Sequence, residues 1–274
     1  KLRFVWSKIE NVKNSKEIIH PSMNAILKHL KINNGYEIHY DGDLPGMSGM
    51  GSSSSFSTGV VRSIFKSQNK KINPFQLFKL TKEIEQKVLK EYIGSQDQFW
   101  SAFGGFRHIK FNKKSYTSKN LFHSKNINKI SSNIILFFTG KKRISSEIEK
   151  TKILNLNDKI SYYHELKSYV NRCRYIIENN LDVDEIGEML DQTWELKKKL
   201  SSSVSNKFID ELYDEAIKIG ATGGKILGSG GGGFILFYAN KNIQKRLIKK
   251  FSKLEYLDKI DFINKGSEII FDEK

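Results

Sequence analysis

The chain has 274 residues, 38% of them hydrophobic, enough to bury one large core or two ordinary ones, and two α/β lobes are expected. Its single cysteine, Cys173, excludes a disulfide framework and a cysteine-based metal cluster, and fits a reducing, cytoplasmic compartment. The formal charge of +16 raises the question of nucleic acid, yet the lysines of 110–119 and 241–250 are scattered among Asn and Ile, without an aromatic stacking platform or a reading motif.

A solvated lysine-rich surface is therefore the expectation, and a basic nucleic-acid-binding protein is the non-enzymatic alternative. Lys1 rather than Met stands first, so the chain is expected to lack its natural start. No signal or membrane segment is visible. The longest apolar runs, 134–138 and 234–239, are too short to span a bilayer and read as buried strands.

In chain order, residues 36–40 alternate Tyr36, Ile38 and Tyr40 against Glu37 and His39, which predicts a half-buried strand ending at the turn signal of Asp41, Gly42 and Asp43. Next comes the richest stretch of the sequence, the turn 45–55: Pro45, Gly46, Met47, Ser48, Gly49, Met50 and Gly51, then the serines Ser52, Ser53, Ser54 and Ser55. Phe56, Val60, Val61, Ile64 and Phe65 follow at helical spacing, so a buried helix is predicted to begin at the serines. Glycines admit an anion close to backbone N–H groups, and the helix directs its own unpaired N–H groups and positive dipole end at the same point. A phosphate cradle is the functional reading; serines that merely cap the helix are the alternative. The stretch is neither a P-loop, since the next lysine is Lys66, nor a Rossmann fingerprint, since Ser54 stands where its third glycine belongs.

Asn73 and Pro74 open a helix predicted to carry Phe78, Ile84 and Val88 toward a core and to end near Gly94. Glu85 lies on it, where a charged residue is ordinarily solvated. Asp97 follows, either as a simple helix-start carboxylate or as a catalytic group. A second unit is expected to begin at the strand 133–138, giving lobes 1–130 and 131–274, with long helices over 162–178, 183–200 and 206–219. Residues 223–233 form a second glycine cluster leading into the strand 234–238. Glycine at 230, 231, 232 and 233 in succession costs conformational entropy on ordering. A hinge or close backbone crossing is one reading, and a surface packed against the first cradle is the other.

With these segments in this order, the chain resembles the GHMP family of small-molecule kinases. The turn 45–55 is similar to the family's nucleotide-binding motif, with Met50 in place of the usual Leu, and 225–233 is similar to its C-terminal glycine motif. The family's N-terminal strand bearing an Arg has no counterpart here. Residues 94–99 with 102–105, and 193–197 with 200–202, most resemble the D-glycero-D-manno-heptose 7-phosphate kinases. The resemblance implies a two-lobed α/β (α+β) fold with an N-terminal α/β lobe and a ferredoxin-like C-terminal lobe. It implies transfer of the ATP γ-phosphoryl group to the anomeric hydroxyl of that heptose phosphate, giving the 1,7-bisphosphate, with Mg²⁺ as cofactor. Residue by residue, it makes Asp97 the catalytic aspartate and Ser53 and Glu85 the Mg²⁺ ligands. Pro45, Gly46, Ser48, Gly49, Met50, Gly51, Ser52, Ser53 and Ser54 become the nucleotide cradle, and Gly230 and Gly231 substrate contacts. Arg143, in the basic turn 139–143, is the candidate for the substrate's remote phosphate, with a merely solvated loop as the alternative. A kinase acting on unphosphorylated galactose or fucose is the enzymatic alternative. Neither a nucleic acid nor a membrane is an expected partner.

Overall fold

The computed structural model describes residues 1–112, 115–141 and 145–273. The chain divides into two units, the first of Lys1–Gly46, Gly51–Gly104 and Lys265–Lys274, the second of Met47–Met50 and Gly105–Asn264. The chain thus changes unit at Gly104 and Gly105, and the expected junction near residue 130 falls inside the second unit.

In the first unit, β1 (Leu2–Val5) pairs antiparallel with β2 (Ile9–Val12) and parallel with β3 (Glu37–His39), the middle of the predicted strand. Leu2 and Phe4 alternate inward on β1. Four helices accompany this sheet: α1 (Pro21–His29), α2 (Ser52–Ser67), α3 (Pro74–Glu83) and α4 (Gln96–Phe103). Phe56, Val60, Val61 and Ile64 of α2 are buried, as their spacing predicts. Asn73 caps α3 with Gln76 in a reciprocal capping box, and Pro74 takes the first helical position.

Beyond α3 the prediction needs correction. The helix does not run to Gly94: it widens into a single π-type turn, Ile84–Val88, closed by Leu89 N donating to Ile84 O at 2.9 Å, and stops there. Val88, expected in the core, is 36% exposed, whereas Ile84 and Glu85 are both fully enclosed.

The second unit opens with the hairpin β4 (Arg107–Phe111) and β5 (Tyr116–Asn120), and α5 (Ile127–Ser132) leads to β6 (Ile134–Phe138). Then come α6 (Ser145–Leu154), α7 (Ile160–Glu178), α8 (Glu185–Leu200), α9 (Lys207–Ile219), β7 (Gly223–Ile226), β8 (Phe234–Tyr238), α10 (Lys241–Lys250) and β9 (Tyr256–Leu257). The sheet order is β7-β8-β6-β9, every pair antiparallel. Counting strands from β6, this is the 2-3-1-4 order of a ferredoxin-like sheet, with extra helices between its first and second strands. Ile135, Phe137, Ile235 and Phe237 join Trp194, Ile209 and Leu247 in its core.

Candidate active site

In the first unit, Gly51 is the residue before α2 and holds φ +71°, ψ 22°. That left-handed conformation costs an L-residue about 1–2 kcal/mol and a glycine almost nothing. No side chain caps this helix start, so the serines do not serve as its cap; they fill its first turn instead. The first intrahelical bond runs from Ser55 N to Gly51 O at 3.0 Å. The peptide N–H groups of Ser52, Ser53 and Ser54 precede it, at the positive end of the helix. Pro45 is half-buried and Gly46 exposed just upstream.

The successive serines face different surroundings. Ser53 is exposed, whereas Ser54 is buried and its Oγ donates to Glu85 Oε2 at 2.9 Å. Gln98 Nε2 donates to the same oxygen at 2.5 Å. Glu85 is 0% exposed, which excludes the solvated reading, and its Oε1 is buried without a hydrogen-bond partner among the described residues. Burial pushes the Glu85 carboxyl above the ordinary carboxylate range, with the charge of Asp97 acting in the same direction against the hydrogen bonds it accepts. A carboxylate oxygen left open in this way fits a cation. Mg²⁺ is characteristically held by one or two protein oxygens together with substrate phosphates and water, and Glu85 suits the first role, although the serine set against it here is Ser54 rather than Ser53.

Asp97 stands exposed in the first turn of α4. Its carboxyl carbon would lie 3.4 Å from a Cβ built on Gly51, which places it over the start of α2. The structure thus brings together Gly51, Ser53, Ser54, Glu85 and Asp97, which the sequence places up to two helices apart.

In the second unit, Ser48 O accepts from Phe234 N at 2.9 Å, and a Cβ on Gly233 would meet that oxygen at 2.2 Å. The second glycine cluster is therefore packed backbone to backbone against the segment Met47–Met50, as one reading of the sequence expected. Ser48 Oγ is fully buried without a partner among the described residues, and Gly49 takes φ +83° while Met50 is half-buried. Gly231 N donates to Val204 O at 2.7 Å, and a Cβ on Gly230 would lie 2.6 Å from Val204 Cα, so protein backbone occupies both. Thr139 Oγ1 donates to Gly233 O at 2.8 Å, and Gly233 N donates to Lys141 O at 2.9 Å. Arg143 lies outside the described residues.

Sequence reasoning placed Lys197 and Lys225 inside family-like segments without giving either a role. Lys197 Nζ donates to Ile226 O at 3.0 Å and Gly228 O at 2.6 Å, holding the start of the glycine turn. Lys225 is half-buried on β7 beside it. The available signal was helical spacing: Trp194, 0% exposed, faces the core, and Lys197 follows it by one turn on the same side of α8.

An uncapped helix start with a carboxylate standing over it is able to stabilise phosphoryl oxygens and to accept a proton, the two services that phosphoryl transfer requires. The sequence comparison is specific: the GHMP kinases N terminal domain matches residues 17–105 and the GHMP kinases C terminal domain matches 176–256. The chain belongs to the GHMP kinase family and is an ATP-dependent small-molecule kinase.

Among its relatives is the D-glycero-alpha-D-manno-heptose 7-phosphate kinase of Campylobacter jejuni, 30% identical over 236 residues, a match covering 84% of this chain and 69% of that one. The galactokinase of Pyrococcus furiosus is 24% identical over 265 residues, covering 84% of this chain and 73% of that protein. The crystal structure of a D-glycero-D-manno-heptose 1-phosphate kinase from Bacteroides thetaiotaomicron shares the fold with a TM-score of 0.74 at 21% identity, over 97% of this chain and 81% of that one. Among the described residues, no helix is long and apolar enough to cross a membrane.

Proposed function

We propose that this kinase phosphorylates the anomeric hydroxyl of D-glycero-D-manno-heptose 7-phosphate, producing the 1,7-bisphosphate. The heptose phosphate kinase of Campylobacter jejuni supports the substrate, and the placement of Asp97 over Gly51 is the observation that carries the chemistry. In this reading the turn 45–51 and the first-turn N–H groups of Ser52, Ser53 and Ser54 receive the ATP phosphates. Ser53 and Glu85 would hold Mg²⁺, which when bound would neutralise charge on those phosphates.

Asp97 accepts the proton of the anomeric hydroxyl as its oxygen bonds to the γ-phosphorus. The bond from that phosphorus to the β-phosphate oxygen breaks, and ADP carries away the electron pair. Gly230 and Gly231 shape the acceptor side through their close packing rather than through the N–H of Gly231, which Val204 already engages.

ADP release from MgATP, measured with heptose 7-phosphate beside mannose 6-phosphate, galactose and fucose, tests the substrate. Turnover confined to the heptose phosphate is expected, and turnover with galactose or fucose in its place overturns the assignment. Asp97→Asn should lower kcat by about 10²–10⁴, the usual contribution of a positioned base, while leaving ATP affinity near normal. Full activity in that variant would remove Asp97 from the chemistry.

A further inference from the structure

Asp97 and Gln98 are consecutive on α4 and stand in opposite surroundings: Asp97 is exposed, and Gln98 is 1% exposed. Gln98 Nε2 donates to Glu85 Oε2 at 2.5 Å, the oxygen that Ser54 Oγ also reaches at 2.9 Å. Three elements of the first unit therefore meet at one atom. The helices α2 and α4 supply the donors, and the π-type turn after α3 supplies the carboxylate. Around it, Glu85 Oε1 and Gln98 Oε1 are buried with no hydrogen-bond partner among the described residues. Ser57, one helical turn after Ser54 on α2, is fully enclosed, and its Oγ is in the same condition.

A carboxylate has two equivalent oxygens, and hydrogen bonds serving stability alone would be divided between them. Here both donors engage Oε2 and none engages Oε1. Both donors are neutral, so the buried carboxylate has no compensating cation among the described residues. Gln98 carries a cost of its own, because its amide oxygen is enclosed without a donor. A side chain kept only to fill this space, between the buried Phe99 and Ala102 of α4 and the buried Ile84 of the turn, would cost less as Leu or Met. Enclosed oxygens left unsatisfied in this way are accounted for by an ion or ligand that completes them. The terminal torsion of a glutamate is broad, so fixing the plane of its carboxylate takes explicit donors.

We propose that Gln98 is the positioning residue of the metal site: its amide holds Glu85 Oε2 so that Oε1 is left for the divalent cation that accompanies ATP. The inference rests on the reading in which Glu85 is a metal ligand. It gives α4 two consecutive duties, with Asp97 serving the acceptor hydroxyl and Gln98 serving the metal through Glu85.

The test uses the whole chain with ADP and no sugar, so that nothing turns over. Titration calorimetry measures ADP affinity in EDTA and again with Mn²⁺, and the ratio of the two reads the metal site. The parent should bind ADP more tightly with Mn²⁺. Gln98→Met should lower that enhancement about 10-fold, the effect of losing one hydrogen bond to a charged group, and leave the affinity in EDTA unchanged. Gln98→Asn, whose amide is one methylene short of Glu85, gives the same reading should methionine disturb the core. Glu85→Gln should lower the enhancement at least as far, and adding Gln98→Met to it should change nothing more, because the two residues act through one contact.

In turnover assays the Mg²⁺ concentration giving half-maximal rate should rise with Gln98→Met while the KM for the sugar stays constant. An enhancement equal in parent and Gln98→Met, but lost in Glu85→Gln, overturns the inference and leaves the metal reading standing. A further loss when Gln98→Met is added to Glu85→Gln also overturns it, since that is the signature of packing alone. An enhancement absent from the parent, or equal in parent and Glu85→Gln, overturns the metal reading of Glu85 and the inference with it.

Discussion

The two glycine-rich turns look alike as strings of letters and are used in opposite ways. In the first, Gly51 is needed for its backbone conformation: it takes φ +71°, and a Cβ there would meet the Asp97 carboxyl only at an ordinary 3.4 Å. In the second, Gly233 is needed for its lack of volume as well, because a Cβ would stand 2.2 Å from Ser48 O. The first turn keeps peptide N–H groups available, and the second consumes them, as when Gly231 N and Gly233 N donate to Val204 O and Lys141 O. Glycine density therefore does not by itself separate a ligand cradle from a packing joint. The partner of each N–H does.

Substitution can break this distinction. After the loss of turnover expected for Asp97→Asn, the largest effect belongs to Gly233→Ala, which combines overpacking against Ser48 with an unfavourable φ of +86° and should cost about 3 kcal/mol or more of stability in denaturant titrations. Gly51→Ala should cost less, about 1–2 kcal/mol from the left-handed conformation alone, yet raise the KM for ATP in steady-state assays. The contrast fails if Gly51→Ala destabilises the protein as much as Gly233→Ala, or leaves ATP affinity untouched. At the small end, Gly46 has φ outside the left-handed region, and a Cβ there would have no atom within 4 Å, so Gly46→Ala should shift stability by no more than about 0.5 kcal/mol by the same titration.

Much of the framework was legible because periodicity and capping agree with packing. The apolar run of β6, the helical spacing of α2 and the Asn-Pro start of α3 each carry a local signal that tertiary contacts reinforce. The end of α3 was not legible, since Val88 continues the apolar spacing and nothing in the residues announces the wide turn that swings Glu85 inward. The hairpin of β4 and β5 was missed for the same kind of reason: its burial pattern runs intermediate and exposed, so it lacks the alternation that marks a strand.

At the candidate site, the glycine and serine stretch and the two carboxylates were legible as residue types. Their meeting was not, because Asp97 reaches Gly51 through the packing of α2 and α4 rather than through sequence spacing. Lys197 was hidden differently. In a chain with 46 Lys and Arg residues, a lysine whose ammonium holds the carbonyls of Ile226 and Gly228 cannot be told from its neighbours by sequence.

The first unit is discontinuous in the chain, and this governs the order in which it can be finished. Ser267 N donates to Ser101 O at 2.7 Å, Lys66 pairs with Asp272 at 2.6 Å, and the backbone at Gly266 lies close against Ala102. These closing contacts involve a segment that the ribosome makes only after the whole of the second unit. The helix bearing Asp97 must therefore wait, partly uncovered, while β4 through β9 are synthesised, and a nascent chain stalled before residue 265 would expose that face of α4 to chaperones and proteases.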